Sequence, residues 1–219
     1  MKALVLEKKL ELNLRDIDLP NKIDSNDVKI KMHTVGICGS DIHYYKHGKI
    51  GQWHVNAPMV LGHEGSGTII EVGTNVKNLK VGDRVCVEPQ IVSKSTKEYK
   101  LGIYNYDQKV KFWATPPIHG CLTPEVVFPS DMVFKIPDNL SYAEGAMVEP
   151  LAVGMQGVTK AKIKPGQIGL VMGCGPIGLV TALAALAGGC AKVYIADILS
   201  EKLKMCDYYP DLIPIDISK

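Results

Sequence analysis

The sequence has no surplus of charge of either sign. Its 25 lysines and arginines stand against 23 aspartates and glutamates, a net charge of +2. Nucleic-acid binders carry a basic excess and charged tails carry single-sign blocks, so no nucleic-acid partner is expected. No apolar stretch follows the first residues: MKALVLEKKLELNLRD alternates apolar with polar and meets charge within the first seven positions. No secretory leader is expected there. Cysteine is sparse and irregular, at Cys38, Cys86, Cys121, Cys174, Cys190 and Cys206. That pattern offers no disulfide framework and fits a reducing, cytoplasmic setting. No internal repeat is visible, and long helical periodicity is missing before about Asn139. One run, 168–191, lacks charge and is long enough to span a bilayer. GCGPIG and GG interrupt it, so a buried strand, a turn and a buried helix are expected, and no membrane partner.

What is present divides into two textures. Hydrophobic residues make up 46% and charged residues 22%, enough apolar material for a core. KALVLE, ELNLRDI, VKIKMHTVGI, GTIIEV, DRVCVE and EVVFP are β-branched runs separated by Gly, Pro, Asn and Asp, which predicts a compact all-β unit. Near Leu140 the texture changes. SYAEGAMVEPLAVGMQGV has helical composition, and Ser141 with Glu144 makes a capping box. IGLVMG reads as a strand buried on both faces of a parallel sheet. PIGLVTALAALAGG reads as a helix ending at Gly188 and Gly189. KVYIAD is a second buried strand, SEKLKMCDYY a short helix capped by Ser200, and DLIPIDIS the start of a third strand. The boundary falls within residues 140–155, giving domains 1–145 and 146–219.

Gly173, Gly175 and Gly178 form G-x-G-x-x-G between a predicted strand and a predicted helix. The first glycine permits the tight turn, the second lets the backbone approach a pyrophosphate, and the third allows helix to pack on strand. The helix N-terminus then offers free N–H groups to the phosphates. The next strand ends in Asp197, where an acid accepts from the adenosine ribose hydroxyls and repels the 2′-phosphate of NADP. NAD is therefore the expected cofactor, with Lys202 as a nearby cation.

GICGSDIHYY places Cys38, Ser40, Asp41 and His43 in one turn-like segment, and GHEGSGTIIEVGTNV holds His63 and Glu64. Thiolate, imidazole and carboxylate suit Zn²⁺, and a catalytic zinc takes three protein ligands and keeps one position open. Cys38 and His63 are two, and either Glu64 or Glu149 is the third. Neighbouring strand residues point to opposite faces, so His63 and Glu64 converge only from a turn or bulge. The other five cysteines read as packing residues.

GHEGSGTIIEVGTNV resembles the zinc signature of the medium-chain dehydrogenase/reductase superfamily, and VGDRV, GCGPIG and Asp197 follow in the expected order. CGSDIHYY, FWATPP and MVEPLAVG resemble the sorbitol/xylitol (polyol) dehydrogenases within it. The resemblance implies a mixed fold: a β-rich GroES-like catalytic domain followed by an incomplete α/β Rossmann domain with a parallel sheet. It implies one catalytic zinc on Cys38, His63 and Glu64, with Glu149 as alternative or water-mediated ligand. Ser40 would meet the zinc-bound hydroxyl, His43 would pass its proton to solvent, and Tyr44 and Glu149 would face the substrate. Gly173, Gly175, Ile177, Gly178, Asp197 and Lys202 would serve NAD. Many relatives carry a four-cysteine zinc lobe. The matching segment, Pro89 to Trp113, has no cysteine, so no structural zinc is expected.

The implied reaction is oxidation of a polyol secondary alcohol to a ketose with NAD⁺. Relatives of this kind are homo-oligomers. Only 22 residues follow Asp197, fewer than a second mononucleotide half needs. The expectation is a truncated product that binds zinc, turns polyol over negligibly, and needs a complementing C-terminal half. An L-threonine or secondary-alcohol dehydrogenase is the alternative within the superfamily. A non-catalytic zinc- or nucleotide-binding module is the alternative outside it.

Overall fold

The computed structural model describes residues 1–218, which fall into two compact units, Met1–Met147 and a second beginning at Val148. The first unit is built on antiparallel sheets. Its strands are β1 (Lys2–Lys8), β2 (Glu11–Asp16), β3 (Asp27–Gly36), β4 (Lys49–Ile50), β5 (Trp53–His54), β6 (Met59–Val60), β7 (Glu64–Val72), β8 (Arg84–Val87), β9 (Gln90–Ile91), β10 (Lys111–Phe112), β11 (Glu125–Pro129) and β12 (Val133–Lys135). The main sheet has the order β11-β3-β7-β8-β12, and a smaller one has β2-β1-β6. Alternation along β3 turns Val28 and Ile30 inward, where they meet Ile69, Val85 and Phe128. Trp113 closes this core against Phe128, with ring centroids 4.3 Å apart.

Two helices of this unit frame the later argument. Helix α1 (Gly39–His47) occupies the segment that the sequence reading takes as a turn. Its nine residues carry polar groups on every side, so no apolar stripe announces it. Asp41 holds its start, and Gly48, at φ 71°, ends it. After the short α2 (Lys97–Lys100), α3 (Tyr142–Ala146) begins with the predicted capping box, Ser141 and Glu144 bonding reciprocally.

The second unit opens with α4 (Val148–Ala161) and continues through strand β13 (Ile168–Met172), α5 (Pro176–Ala187), β14 (Lys192–Asp197), α6 (Ser200–Leu203), a 3₁₀ turn (Lys204–Tyr208) and β15 (Leu212–Asp216). The strands are parallel in the order β13-β14-β15. Val193, Ile195 and Ala182 are at the centre of its core. The sequence expectation for β13 is corrected here. It is an edge strand, and Ile168, Leu170 and Met172 are 65%, 62% and 67% exposed on one face. Only the other face packs. Ser200 is likewise inside α6 and not at its cap; Leu199 precedes the helix, its N–H held by Asp197. The uncharged run 168–191 is β13, a turn and α5. No helix among the described residues is long and apolar enough to cross a membrane.

Candidate metal centre and dinucleotide turn

The pairing of β3 with β7 brings the donor side chains together. A register shift between Met32 and Thr34 sets Gly36 opposite Glu64. The chain leaves β3 at Gly36 and reaches Cys38 two residues later, at the start of α1. His63 stands just before β7, so it is free of the strand alternation that would turn it away from Glu64. The result is a sulfur, a nitrogen and an oxygen, from Cys38, His63 and Glu64, all within 4.8 Å of one another. Gly36 makes room for the carboxylate: a Cβ there would lie 2.1 Å from Glu64 Oε2.

Asp41 links the segments that carry these donors. Its Oδ2 accepts from the Cys38 N–H at 3.0 Å and its Oδ1 from the Gly62 N–H at 2.9 Å. Burial pushes the Cys38 thiol up, against hydrogen bonds from Ser40 that draw it down. Burial also raises Glu64, opposed by the charge of His63 and a hydrogen bond with Cys38. Both shifts are the cost of an anionic donor set in a buried place, and a bound cation reverses that preference. His63 Nδ1 is buried without a hydrogen-bond partner, a condition that ligation of a metal by that nitrogen would relieve. Donor chemistry, spacing and the cradle at Gly36 fit a metal ion of the zinc type.

A cavity of about 660 Å³ adjoins this cluster, lined by Ser40, Tyr44, Trp53, His63, Asp107 and Phe112 among others. Phe112 sets its ring edge-on to His63, centroids 5.4 Å apart. Burial raises Tyr44, opposed by a hydrogen bond with Thr115. Ser40 and Tyr44 thus share a cavity with a donor residue. His43 does not line it; it is exposed on α1, its ring 5.4 Å from that of His47. Glu149 belongs to the second unit, in the first turn of α4.

Sequence reasoning missed Trp53 and Asp107. Phe112 and Thr115 had a signal, being part of FWATPP, but were not singled out. Asp107 is 5% exposed, its Oδ1 accepting from the Lys109 N–H while Oδ2 has no partner. Nothing in its local sequence announces that.

In the second unit the glycine turn has three distinct environments. Gly173 has φ 98°, which side chains rarely adopt. A Cβ at Gly175 would meet nothing within 4 Å, while one at Gly178 would stand 1.8 Å from the Gly173 carbonyl oxygen. Gly175 caps α5, with Pro176 at its first position and Ile177, 43% exposed, next. Asp197 Oδ2 accepts from the Cys174 N–H and Oδ1 from the Leu199 N–H, both at 2.8 Å. Those bonds, Leu199 first, hold its carboxyl below the usual range, so it is ionised at neutral pH. Lys202 Nζ is 3.9 Å from it.

Residues 24–138 match the model of the alcohol dehydrogenase GroES-like domain. The chain belongs to that family. A D-xylulose reductase of Morganella morganii is 58% identical, over 97% of this chain and 62% of that protein. The sorbitol dehydrogenase of Bos taurus is 43% identical, over 92% of this chain and 56% of that one. Among solved structures, an Escherichia coli oxidoreductase/dehydrogenase of unknown specificity superposes with a TM-score of 0.92 at 33% identity. That match covers 99% of this chain and 63% of the other. The chain therefore spans about three fifths of the relatives it matches.

Proposed function

We propose that this chain carries the metal site and the dinucleotide turn of a polyol dehydrogenase, which oxidises a secondary hydroxyl to a ketone with NAD⁺. The observation that carries the reading is the Cys38, His63 and Glu64 trio beside a cavity lined by Ser40 and Tyr44. The names of the relatives, D-xylulose reductase and sorbitol dehydrogenase, support a polyol–ketose pair. When bound, a single catalytic zinc supplies Lewis acidity at the substrate hydroxyl and the dinucleotide supplies the hydride acceptor. Cys38, His63 and Glu64 would hold the metal, with Glu149 as the alternative third ligand. Ser40 Oγ would accept the proton of the substrate hydroxyl while passing its own toward His43, which would release it to solvent from the exposed side of the same helix. Tyr44, Trp53 and Phe112 orient the carbon chain and keep water from it. Gly175, Ile177 and Gly178 present backbone N–H groups to the pyrophosphate, while Gly173, whose N–H is given to the Ala196 carbonyl, supplies the positive-φ turn. The ionised Asp197 favours a free ribose 2′-hydroxyl over a 2′-phosphate, with Lys202 beside it.

Calorimetric titration of the zinc-loaded chain with xylitol, sorbitol and 1-propanol tests the substrate class. The expected result is binding of the two polyols, weak or absent binding of the monohydric alcohol, and loss of polyol binding when zinc is stripped. Equal affinity for all three, or polyol binding independent of zinc, contradicts it.

A further inference from the structure

A second cavity, of about 460 Å³, adjoins the one beside Cys38, His63 and Glu64. Trp53, Pro116 and Pro117 line both. The polar part of its wall comes from Gln52, His54, Asn56 and His119. The hairpin β4–β5 sets this arrangement. Trp53 is paired with Ile50, and Gly51, at φ 55°, turns the chain between them with Gln52. The Trp53 indole remains 47% exposed.

The residues lining this second cavity include no Asp, Glu, Lys or Arg. A phosphate or carboxylate would meet no lysine or arginine there, and an ammonium no carboxylate. What the wall offers is neutral. The amides of Gln52 and Asn56 each donate and accept. His119 Nδ1 accepts from the Val60 N–H at 3.2 Å. Burial pulls the His119 ring below the usual histidine range, so the neutral ring keeps its proton on Nε2, as a donor. Beside these groups is the flat apolar face of Trp53. An uncharged ring with hydroxyls around its edge and C–H bonds on its face matches that set, and a sugar is such a ring.

We propose that this second cavity is a glycosyl subsite, which holds a sugar ring joined to a polyol whose reacting hydroxyl lies beside Cys38, His63 and Glu64. The link to the polyol rests on the function proposed above; the affinity for a sugar ring stands on the second cavity alone. The walls that the two cavities share let one molecule extend past Trp53 from the first into the second. The substrate class then includes glycosylated alditols as well as free ones.

Calorimetry on the zinc-loaded full chain, comparing sorbitol with maltitol, tests the subsite. Maltitol is sorbitol carrying one glucosyl group. It should bind about tenfold more tightly, the gain expected from one or two net hydrogen bonds. The double variant Gln52→Ala, Asn56→Ala changes two exposed side chains and should bring the two affinities close to equality. Equal affinities in the parent, or a preference for maltitol kept by the double variant, overturn the proposal. Saturation-transfer NMR with methyl α-glucoside, on the chain stripped of zinc, is the second readout. The parent should transfer saturation to the sugar protons, and the double variant should not. No transfer in the parent overturns the subsite. A glucoside that binds while sorbitol does not contradicts the polyol reading and leaves the subsite standing.

Discussion

Asp41 is 2% exposed and gives both carboxylate oxygens to backbone N–H groups, one from each segment that contributes to the Cys38, His63 and Glu64 cluster. Asp41→Ala leaves two backbone donors unpaired, one buried and one partly buried, and should cost about 3 kcal/mol. Chemical unfolding will measure that, and zinc affinity should fall with it because Cys38 and His63 lose their common anchor. Gly36→Ala is a sharper probe, since its Cβ would occupy the place of the Glu64 carboxylate. Zinc affinity should drop by about tenfold or more, as when a supporting contact of a metal ligand is lost. A competition titration that finds parent affinity in Gly36→Ala would mean that Glu64 does not hold the metal. At this scale the sequence pointed to the three side chains that the structure brings together, because Cys, His and Glu declare their chemistry by type. It did not disclose their supports. Asp41 works through backbone groups, one of them 21 residues away, and Gly36 works by having no side chain.

The elements were legible wherever their patterns repeat. The alternating strands of the first unit and the punctuated strand–turn–helix of the second could be read directly. Helix α1 was not, because its nine polar and aromatic residues show no stripe. Its position matters, since it carries Ser40, Asp41, His43 and Tyr44. β13 was misjudged for a different reason: an unbroken apolar run does not say whether both faces are covered. The cap of α3 was read correctly from Ser141 and Glu144, and it makes a testable pair. Ser141→Ala should cost about 1 kcal/mol. The Ser141 hydroxyl, and then its N–H, hold the Glu144 carboxyl below its ordinary value. Its stabilisation is therefore complete above the ordinary glutamate range and is lost as pH falls through the lowered value. Melting curves of Glu144→Gln should lack that acid-side component; the same slope in parent and variant would show that the cap has no electrostatic part.

Over the whole molecule, the change of composition near Leu140 anticipated two kinds of structure, antiparallel and parallel. What composition could not give is the distribution of uncovered apolar surface. The face of β13 presenting Ile168, Leu170 and Met172 lies on an edge strand, the arrangement that promotes association between chains. Leu170→Lys should suppress concentration-dependent light scattering without lowering the melting temperature by more than a few degrees. Equal scattering by parent and variant would remove β13 as the cause. The central claim concerns the donor trio, and zinc content measured by mass spectrometry tests it most directly. After equilibration with zinc and removal of excess, the parent chain should hold one ion. Cys38→Ser, His63→Ala and Glu64→Ala should hold none, and Glu149→Ala should keep it. A parent chain without zinc, or trio variants that retain it in full, would contradict the account.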